Sequence, residues 1–291
     1  MTPREQGFLL LRSTLGDPSR KPLTAAQYRT LAARVRAMPQ PTTSREMELE
    51  DLLVLGYDRG FAQHILDLLS QGDWLNEYVR AGKRNGCFPI TRVTPSYPAP
   101  LIHRLGWDSP AFFWAKGDVE ILNTPSISLV GSRELREENR RFAEAVGYEA
   151  AKSGLTLISG NARGADRTAQ DACLAAGGKV ISILADELTA HEPQEYQLLL
   201  SEEDFNAPFT RQRALNRNKS IHAMGQMVFV AQSEAHKGGT WDGTVKNLSR
   251  GWSEVFCFRD GSPSSLELEQ MGAWLVSRED LVIIKELGKS S

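Results

Sequence analysis

The chain has 291 residues, of which 41% are hydrophobic and 24% are charged, and its formal net charge is −2 at pH 7. This composition is typical of a globular protein, and the length predicts one large domain with a smaller one. The near-neutral charge excludes a protein that coats nucleic acid with a uniformly basic surface, but it permits a local basic patch. Three widely spaced cysteines without a CxxC pair argue against a zinc site or a disulfide framework. No apolar run approaches the ~18 residues of a membrane span and no signal-peptide core is present, so we expect a cytoplasmic protein without membrane contacts.

The first 85 residues predict a small helical domain. Thr24 suits the N-cap of a helix over 24–38, which Pro39 and Pro41 would end. Apolar spacing predicts further helices at 47–56, 58–72 and 73–81. Residues 1–45 carry eight Lys and Arg side chains against two acidic ones. The domain over 1–85 therefore either packs against the rest of the chain or contacts nucleic acid.

Residues 86–262 predict the main domain, in which a Pro- and aromatic-rich connection over 86–125 holds one short strand, AFFWAKG. From residue 126 apolar strands alternate with helices. Strands are predicted at 126–130, 155–159, 179–184, 227–232 and 254–258, and helices at 136–153, 164–177, 193–203, 211–224 and 241–250. Near-continuous apolar strands separated by helices predict an α/β, Rossmann-like, doubly wound fold with a mostly parallel sheet. Residues 263–291 are predicted as a short C-terminal extension.

Three glycine turns follow predicted strands of this sheet, and each carries a cation. They are Gly131-Ser132-Arg133, the stretch from Gly160 to Gly164 with Arg163, and Lys237-Gly238-Gly239. Ligands of open parallel sheets bind beyond the carboxyl ends of the strands, where glycine admits a ligand closely and helix N-termini favour anions. A single glycine turn of this kind is common in α/β proteins and does not by itself indicate a binding site. Together the three predict an anion-binding crevice, with Gly160 and Gly164 opening room for the ligand.

Two residues of the second turn have alternative roles. Arg163 is either a solvated surface residue or one wall of the crevice. Asp166, at the start of a predicted helix, either caps that helix or holds Arg163 or another nearby cation.

The segment 205–223 has four Lys and Arg side chains. It contains Arg211, Arg213, Arg217, Asn218 and Lys219 and no acidic residue. A helix here presents either a solvated charged face or a surface that a polyanion neutralises, and the lack of compensating acids favours the polyanion. Phe205 and Phe209 are the nearest aromatic side chains for base stacking, although either can belong to the core.

Several of these motifs together resemble the DNA-processing protein A family (DprA, also called Smf). The resemblance runs from about Tyr97 to Phe258 and covers SPAFFWAKGDVEILNTPSISLVGSR, ISGNARGAD and NRNKSIHAMGQMVFVAQ, with GGTW where the family has SGSL. It identifies the family's GSR arginine as Arg133, the basic residue of its second turn as Arg163, and its RNR arginines as Arg217 and Lys219. The region 1–85 takes the place of a sterile-alpha-motif-like or helix-hairpin-like domain. We expect a divergent member without the winged-helix-like C-terminal domain.

The resemblance implies a non-catalytic protein that binds single-stranded DNA without a cofactor or metal. It also implies a homodimer formed through the Rossmann-like domain, and a RecA-type recombinase as partner in natural transformation or DNA recombination. One departure from the family pattern, LADELTAHEPQEY, places Asp186 and Glu187 after the third strand, where they would repel phosphate if they faced the crevice.

Two alternative functions use the same Rossmann-like core. Related nucleoside-monophosphate phosphoribohydrolases place a catalytic glutamate after a Gly-Gly-x-Gly-Thr loop, whereas GGTWDGTVKN over 238–247 has Asn247 there and Asp242 as the nearby carboxylate. A nucleotide-sensing module without catalysis would occupy the same crevice.

Overall fold

A computed structural model describes residues 1–38 and 46–289, and its N-terminal part is helical. The helices there are α1 Pro3–Arg12, α2 Ala25–Ala37, α3 Leu49–Val54, α4 Arg59–Leu69 and α5 Gly72–Arg84. Thr24 caps α2 as predicted, because its hydroxyl accepts a hydrogen bond from the Gln27 amide. Pro39 and Pro41, which were predicted to end this helix, lie outside the described residues.

Helix α1 is an addition to the prediction, which placed no helix before residue 24. A capping box between Thr2 and Glu5 starts it. Its Leu11 joins a buried cluster with α2, α3 and α4, which includes the buried side chains of Leu31 and Ile65. The predicted N-terminal helical region is therefore confirmed, with one more helix.

A nine-stranded sheet forms the centre of the described part of the chain. Its strands are β1 Phe88–Thr91, β2 Phe112–Gly117, β3 Ser126–Val130, β4 Thr156–Ser159, β5 Val180–Leu184, β6 Gln197–Ser201, β7 Met227–Val230, β8 Glu254–Phe258 and β9 Trp274–Val276. Their order across the sheet is β1-β2-β6-β5-β4-β3-β7-β8-β9. The strands from β6 to β9 are parallel, whereas β1 and β2 add to one edge in antiparallel pairing.

Helices cover both faces of the sheet, as the predicted doubly wound fold requires. On one face Phe142 of α7 (Glu137–Lys152) and Ala169 of α8 (Ala165–Ala175) pack on Leu129. The other face carries α6 (Ala99–Leu105), α9 (Arg211–Met224), α10 (Gly238–Arg250) and α11 (Pro263–Gln270). None of the helices in the described ranges has the length and apolar character that a membrane crossing requires.

The prediction of a helix over 193–203 is wrong. Residues Gln197–Ser201 form β6, which pairs in parallel with β5 and antiparallel with β2. Leu198, Leu199 and Leu200 are all buried, because the sheet is covered on both faces at this position. Three consecutive leucines fit a doubly buried strand as well as a buried helix, so their spacing alone does not separate the two.

Two short strands extend the sheet beyond the prediction. β1 lies within the connection over 86–125, for which one strand was predicted, and pairs with β2 from Phe88↔Ala115 to Thr91↔Phe112. β9 pairs in parallel with β8, so the sheet continues past residue 262 into the predicted C-terminal extension.

The chain reverses its winding direction beside β3. From β3 it proceeds to β4, β5 and β6 on one side, and it then crosses to β7 on the other side of β3. Such a switch point leaves a crevice outside the carboxyl ends of the two flanking strands, which is where open parallel sheets bind their ligands.

Candidate functional site

A cavity of about 560 Å³ opens at this switch point between β3 and β7. The turn after β3, the turn after β7 and the first half of α9 form its walls. Of the predicted site residues, those that line it are Gly131, Ser132, Arg133, Arg211, Arg217, Asn218, Lys237, Gly238 and Gly239. Its volume is in the range of pockets that hold small molecules or single nucleotide units. The predicted crevice therefore exists as a formed cavity.

The buried wall of the cavity holds Arg217 and Asp166. Each side chain is 9% exposed, and the Arg217 Nη2 lies 3.9 Å from the Asp166 Oδ2. Asp166 also accepts hydrogen bonds from the amides of Gly160 and Ala162, at 3.2 and 3.3 Å. It therefore holds the turn after β4 and a cation other than Arg163.

Arg217 is incompletely satisfied by its surroundings. Its Nε is buried without a hydrogen-bond partner among the described residues. Burial lowers the pKa of the guanidinium, against the raising effect of the Asp166 and Glu202 carboxylates. Burial also raises the pKa of Asp166, and the charge of Arg217 opposes that rise. A buried guanidinium with an unpaired donor favours an anion beside it.

The glycines of the second turn were predicted to open room for the ligand, but the structure shows a different role for each. A Cβ at Gly160 would lie 1.4 Å from the Arg217 Nη1, so this glycine makes room for the guanidinium and not for a ligand. Gly164 has φ +90°, and a Cβ there would lie 2.4 Å from the Ser132 carbonyl oxygen. Gly164 therefore allows the turns after β3 and β4 to touch.

The mouth of the cavity carries two arginines beside an aromatic ring. Arg133 and Arg211 are exposed, and neither forms an ion pair with a carboxylate in the part of the chain that the structure describes. The Arg133 Cζ lies 6.0 Å from the centre of the Phe209 ring. Phe209 is 53% exposed, whereas Phe205 is buried in the core against Tyr78 and is not available for stacking.

Helix α10 begins at the edge of the same cavity. No side chain caps its first amides among the described residues, and its N-cap residue is Lys237. A Cβ added at Gly238 would meet no atom within 4 Å, so the approach to these amides is open. The Lys237 ammonium pairs with Glu234 at 2.9 Å. A helix start with uncapped N–H groups favours an anion.

Three predicted cations do not line this cavity. Arg163 is 76% exposed, pairs with Glu134 at 3.2 Å and lines a neighbouring depression. Arg213 is buried against β6, where it donates to Ser201 and pairs with Glu203 at 3.2 Å. The Lys219 ammonium donates to the Asp108 carbonyl at 2.8 Å. The basic segment is thus not one exposed face, because α9 turns Arg213 and Arg217 toward the sheet.

Sequence reasoning left out several groups around the cavity. Thr240, Leu215 and Glu234 line it, and so does Asp242. Their residue types carry no distinctive signal, and only the packing of α9 and α10 brings them to the site. Asp186, which was expected to repel phosphate if it faced the crevice, is hydrogen-bonded to His191 at 2.9 Å and is not among the lining residues, but its charge acts on Arg217.

The comparison with known families identifies the chain. The family model of DNA recombination-mediator protein A matches residues 89–259, which is more than half of the sequence. The chain belongs to this family. The matched range contains every strand and helix that builds the cavity, so the predicted resemblance is confirmed where the candidate site lies.

Individual relatives agree with the family assignment. The DNA processing protein DprA of Streptococcus pneumoniae is 28% identical over 45% of this chain and 50% of its own length. Protein Smf of Synechocystis is 25% identical over 64% of this chain and 50% of its own length. The chain thus spans about half the length of the curated relatives that it matches.

Solved structures share the fold. The X-ray structure of DprA from S. pneumoniae superposes with a TM-score of 0.68 at 22% identity, over 88% of this chain and 91% of that one. A structure of the Helicobacter pylori DNA processing protein A, whose title describes a single-stranded DNA binding mode, superposes with a TM-score of 0.57 at 21% identity. It covers 69% of this chain and 96% of the H. pylori chain. The predicted Rossmann-like α/β fold is confirmed.

Proposed function

We propose that this protein binds single-stranded DNA, with the phosphate backbone at the mouth of the switch-point cavity. The observation that carries the proposal is the pair Arg133 and Arg211 beside the exposed ring of Phe209. Cations without carboxylate partners are free to neutralise phosphates, and an adjacent ring offers a face on which an unpaired base stacks. A duplex hides its base faces, so this combination suits a single strand.

The buried part of the cavity would bind one phosphate more strongly than a solvated surface would. The uncapped start of α10 presents backbone N–H groups, and the Arg217 guanidinium lines the cavity as a buried cation with an Nε that is unpaired within the described residues. Charge-assisted hydrogen bonds in such surroundings are about twice as strong as neutral ones. Lys237 and Asn218 lie at the same edge and complete a polar rim.

We extend the proposal to the partners that the family resemblance implies. The protein would form a homodimer through the Rossmann-like domain and load a RecA-type recombinase onto DNA during recombination or natural transformation. A cytoplasmic location fits the three cysteines, Cys87, Cys173 and Cys257, which are buried and free. The support for the dimer and the recombinase is family membership.

The proposed role is that of a binding protein and not of an enzyme. Asn247, at the position where phosphoribohydrolases carry a glutamate, is buried and holds Ser253, and it does not line the cavity. Asp242 is an exposed rim carboxylate. Incubation with AMP should therefore release no adenine. The cavity volume also suits a free nucleotide, and a thermal-shift panel of nucleotides against oligo(dT) separates this ligand from a strand.

A gel shift with oligo(dT) tests the proposed site. Arg133→Glu should lose binding at physiological salt, while Arg250→Glu, an exposed charge reversal at the far end of α10, should bind like the wild type. Circular dichroism checks that both variants fold. Unchanged binding by Arg133→Glu would show that the strand does not bind at this cavity. Arg217→Glu is a poor test, because it would bury two carboxylates against each other.

A further inference from the structure

A second group of arginines and aromatic rings lies outside the cavity. It forms where α2 meets the short 3₁₀ turn Gly106–Asp108. The ring centres of Tyr28 and Trp107 are 6.3 Å apart, and the Arg92 Cζ lies 4.5 Å from the centre of the Trp107 ring. Trp107 is 38% exposed. We call this surface the Trp107 patch, and it consists of Tyr28, Trp107, Arg4, Arg12, Arg36 and Arg92.

The Trp107 patch holds positive charges without carboxylate partners. Arg4, Arg12 and Arg36 lie close enough to Tyr28 to oppose the rise in its pKa that burial causes. The charge of Arg92 adds to burial in lowering the pKa of Arg12. Within residues 1–38 and 46–289, none of these four arginines forms an ion pair with a carboxylate.

Two other exposed cations near the crevice differ from these arginines, because each is paired with a carboxylate. Arg163 pairs with Glu134, and Lys237 pairs with Glu234. Surface helices usually interleave charges of both signs, because like charges held together repel one another. A cluster of four arginines, none of which is ion-paired among the described residues, is therefore a surface that a polyanion would neutralise.

The Trp107 patch is joined to the cavity along α9. Helix α6 and the turn after it run antiparallel to α9, since Arg104 donates to the Ala223 carbonyl at 2.9 Å and Lys219 donates to the Asp108 carbonyl at 2.8 Å. From Lys219 the helix leads to Arg211 at the mouth of the cavity, about 12 Å away at 1.5 Å per residue. Trp107 is the neighbour of Asp108, so the Trp107 patch begins about this far along α9 from the mouth of the cavity.

We propose that the Trp107 patch is a second binding site for the same single strand of DNA. The arginines would contact phosphates beyond those held at the cavity, and the exposed ring of Trp107 would stack an unpaired base. This inference rests on the proposed function for the identity of the ligand. It adds the N-terminal helical domain to the DNA-binding surface and predicts a longer binding site than the cavity provides.

Charge reversal of two exposed members of the Trp107 patch tests the inference. Arg4→Glu/Arg36→Glu is compared with Lys83→Glu/Arg84→Glu, which changes the charge equally on exposed residues of the same helical region, in the last turn of α5. Affinity for oligo(dT) of increasing length is measured in a salt titration. The Arg4/Arg36 variant should bind long oligonucleotides about tenfold more weakly, with a salt slope smaller by about 1.4, and should bind the shortest ones normally. Equal behaviour of the two double variants would overturn the inference.

Trp107 provides a test of stacking that does not depend on charge. Trp107→Phe keeps an aromatic face and should retain most of the affinity for long oligo(dT), whereas Trp107→Leu keeps apolar bulk and should lose several-fold. Equal affinity of the two variants, or an equal loss on duplex DNA, would contradict a single-strand site. If the Arg4/Arg36 variant loses binding to phosphatidylserine vesicles and not to DNA, the patch is a lipid site instead. If Arg133→Glu binds normally while the Arg4/Arg36 variant does not, the cavity proposal fails and the patch proposal stands.

Discussion

Replacing Asp166 with alanine would show how strongly the buried wall of the cavity depends on a single ion pair. The substitution removes the carboxylate 3.9 Å from the Arg217 guanidinium and the acceptor of two turn amides. At an effective dielectric constant of about 20, two unit charges at this distance attract by about 4 kcal/mol. Glu202 still acts on Arg217, so we expect a loss of about 3 kcal/mol in the free energy of unfolding, near the lower end for broken buried pairs.

Urea denaturation measures this loss, and an exposed ion pair provides the control. Arg163 and Glu134 approach more closely, at 3.2 Å, but their side chains are 76% and 89% exposed. Glu134→Ala should therefore cost less than about 0.5 kcal/mol. The Asp166→Ala/Arg217→Met variant should lose much less than the sum of the two single variants, because the second substitution removes the stranded charge. A loss below about 1 kcal/mol for Asp166→Ala, or strict additivity, would refute the reasoning.

Three further predictions concern packing, the mouth of the cavity and the thiols. Gly160→Ala should lower the free energy of unfolding by about 1–3 kcal/mol, because the new Cβ displaces the Arg217 guanidinium. Gly72→Ala, where a Cβ meets nothing within 4 Å, should leave the free energy of unfolding unchanged in the same urea denaturation. Phe209→Ala should weaken oligo(dT) binding by about 1–3 kcal/mol without lowering the melting temperature. Phe205→Ala in the core should instead lower the free energy of unfolding by about 3–5 kcal/mol. Equal melting temperatures of the two variants would contradict these separate roles. Burial raises the pKa of Cys173 and of Cys257 to about 12, so little thiolate forms at pH 8. Iodoacetamide should therefore modify these residues only after unfolding. Rapid labelling of the native protein, measured by mass spectrometry, would contradict this prediction.

The arrangement of the sheet could be predicted from the sequence because most of its strands are short apolar runs that helices separate. The run over 193–203 was wrongly predicted as a helix, since its leucines are buried on both faces of β6 and show no alternation. β1 and β9 are only four and three residues long, and pairing with a neighbour, more than local sequence, makes them strands.

The position of the crevice was predictable, whereas the roles of its residues were only partly so. Glycine turns after β3 and β7 mark the switch point directly in the sequence. The burial of Arg217 follows from the contact of α9 with Gly160, which joins segments far apart in the chain. Charge counting along 205–223 cannot separate the buried Arg213 and Arg217 from the exposed Arg211, because helix docking decides which side faces the sheet.

The most direct test of the central claim is the salt dependence of oligo(dT) binding by the wild type and by Arg133→Ala/Arg211→Ala. Each phosphate contact to a single strand contributes about 0.7 to the slope of log K against log salt concentration. If the two arginines at the mouth of the cavity each hold a phosphate, the slope of the double variant should be smaller by about 1.4 and its affinity lower at every salt concentration. An unchanged slope in a folded double variant would contradict DNA binding at this cavity.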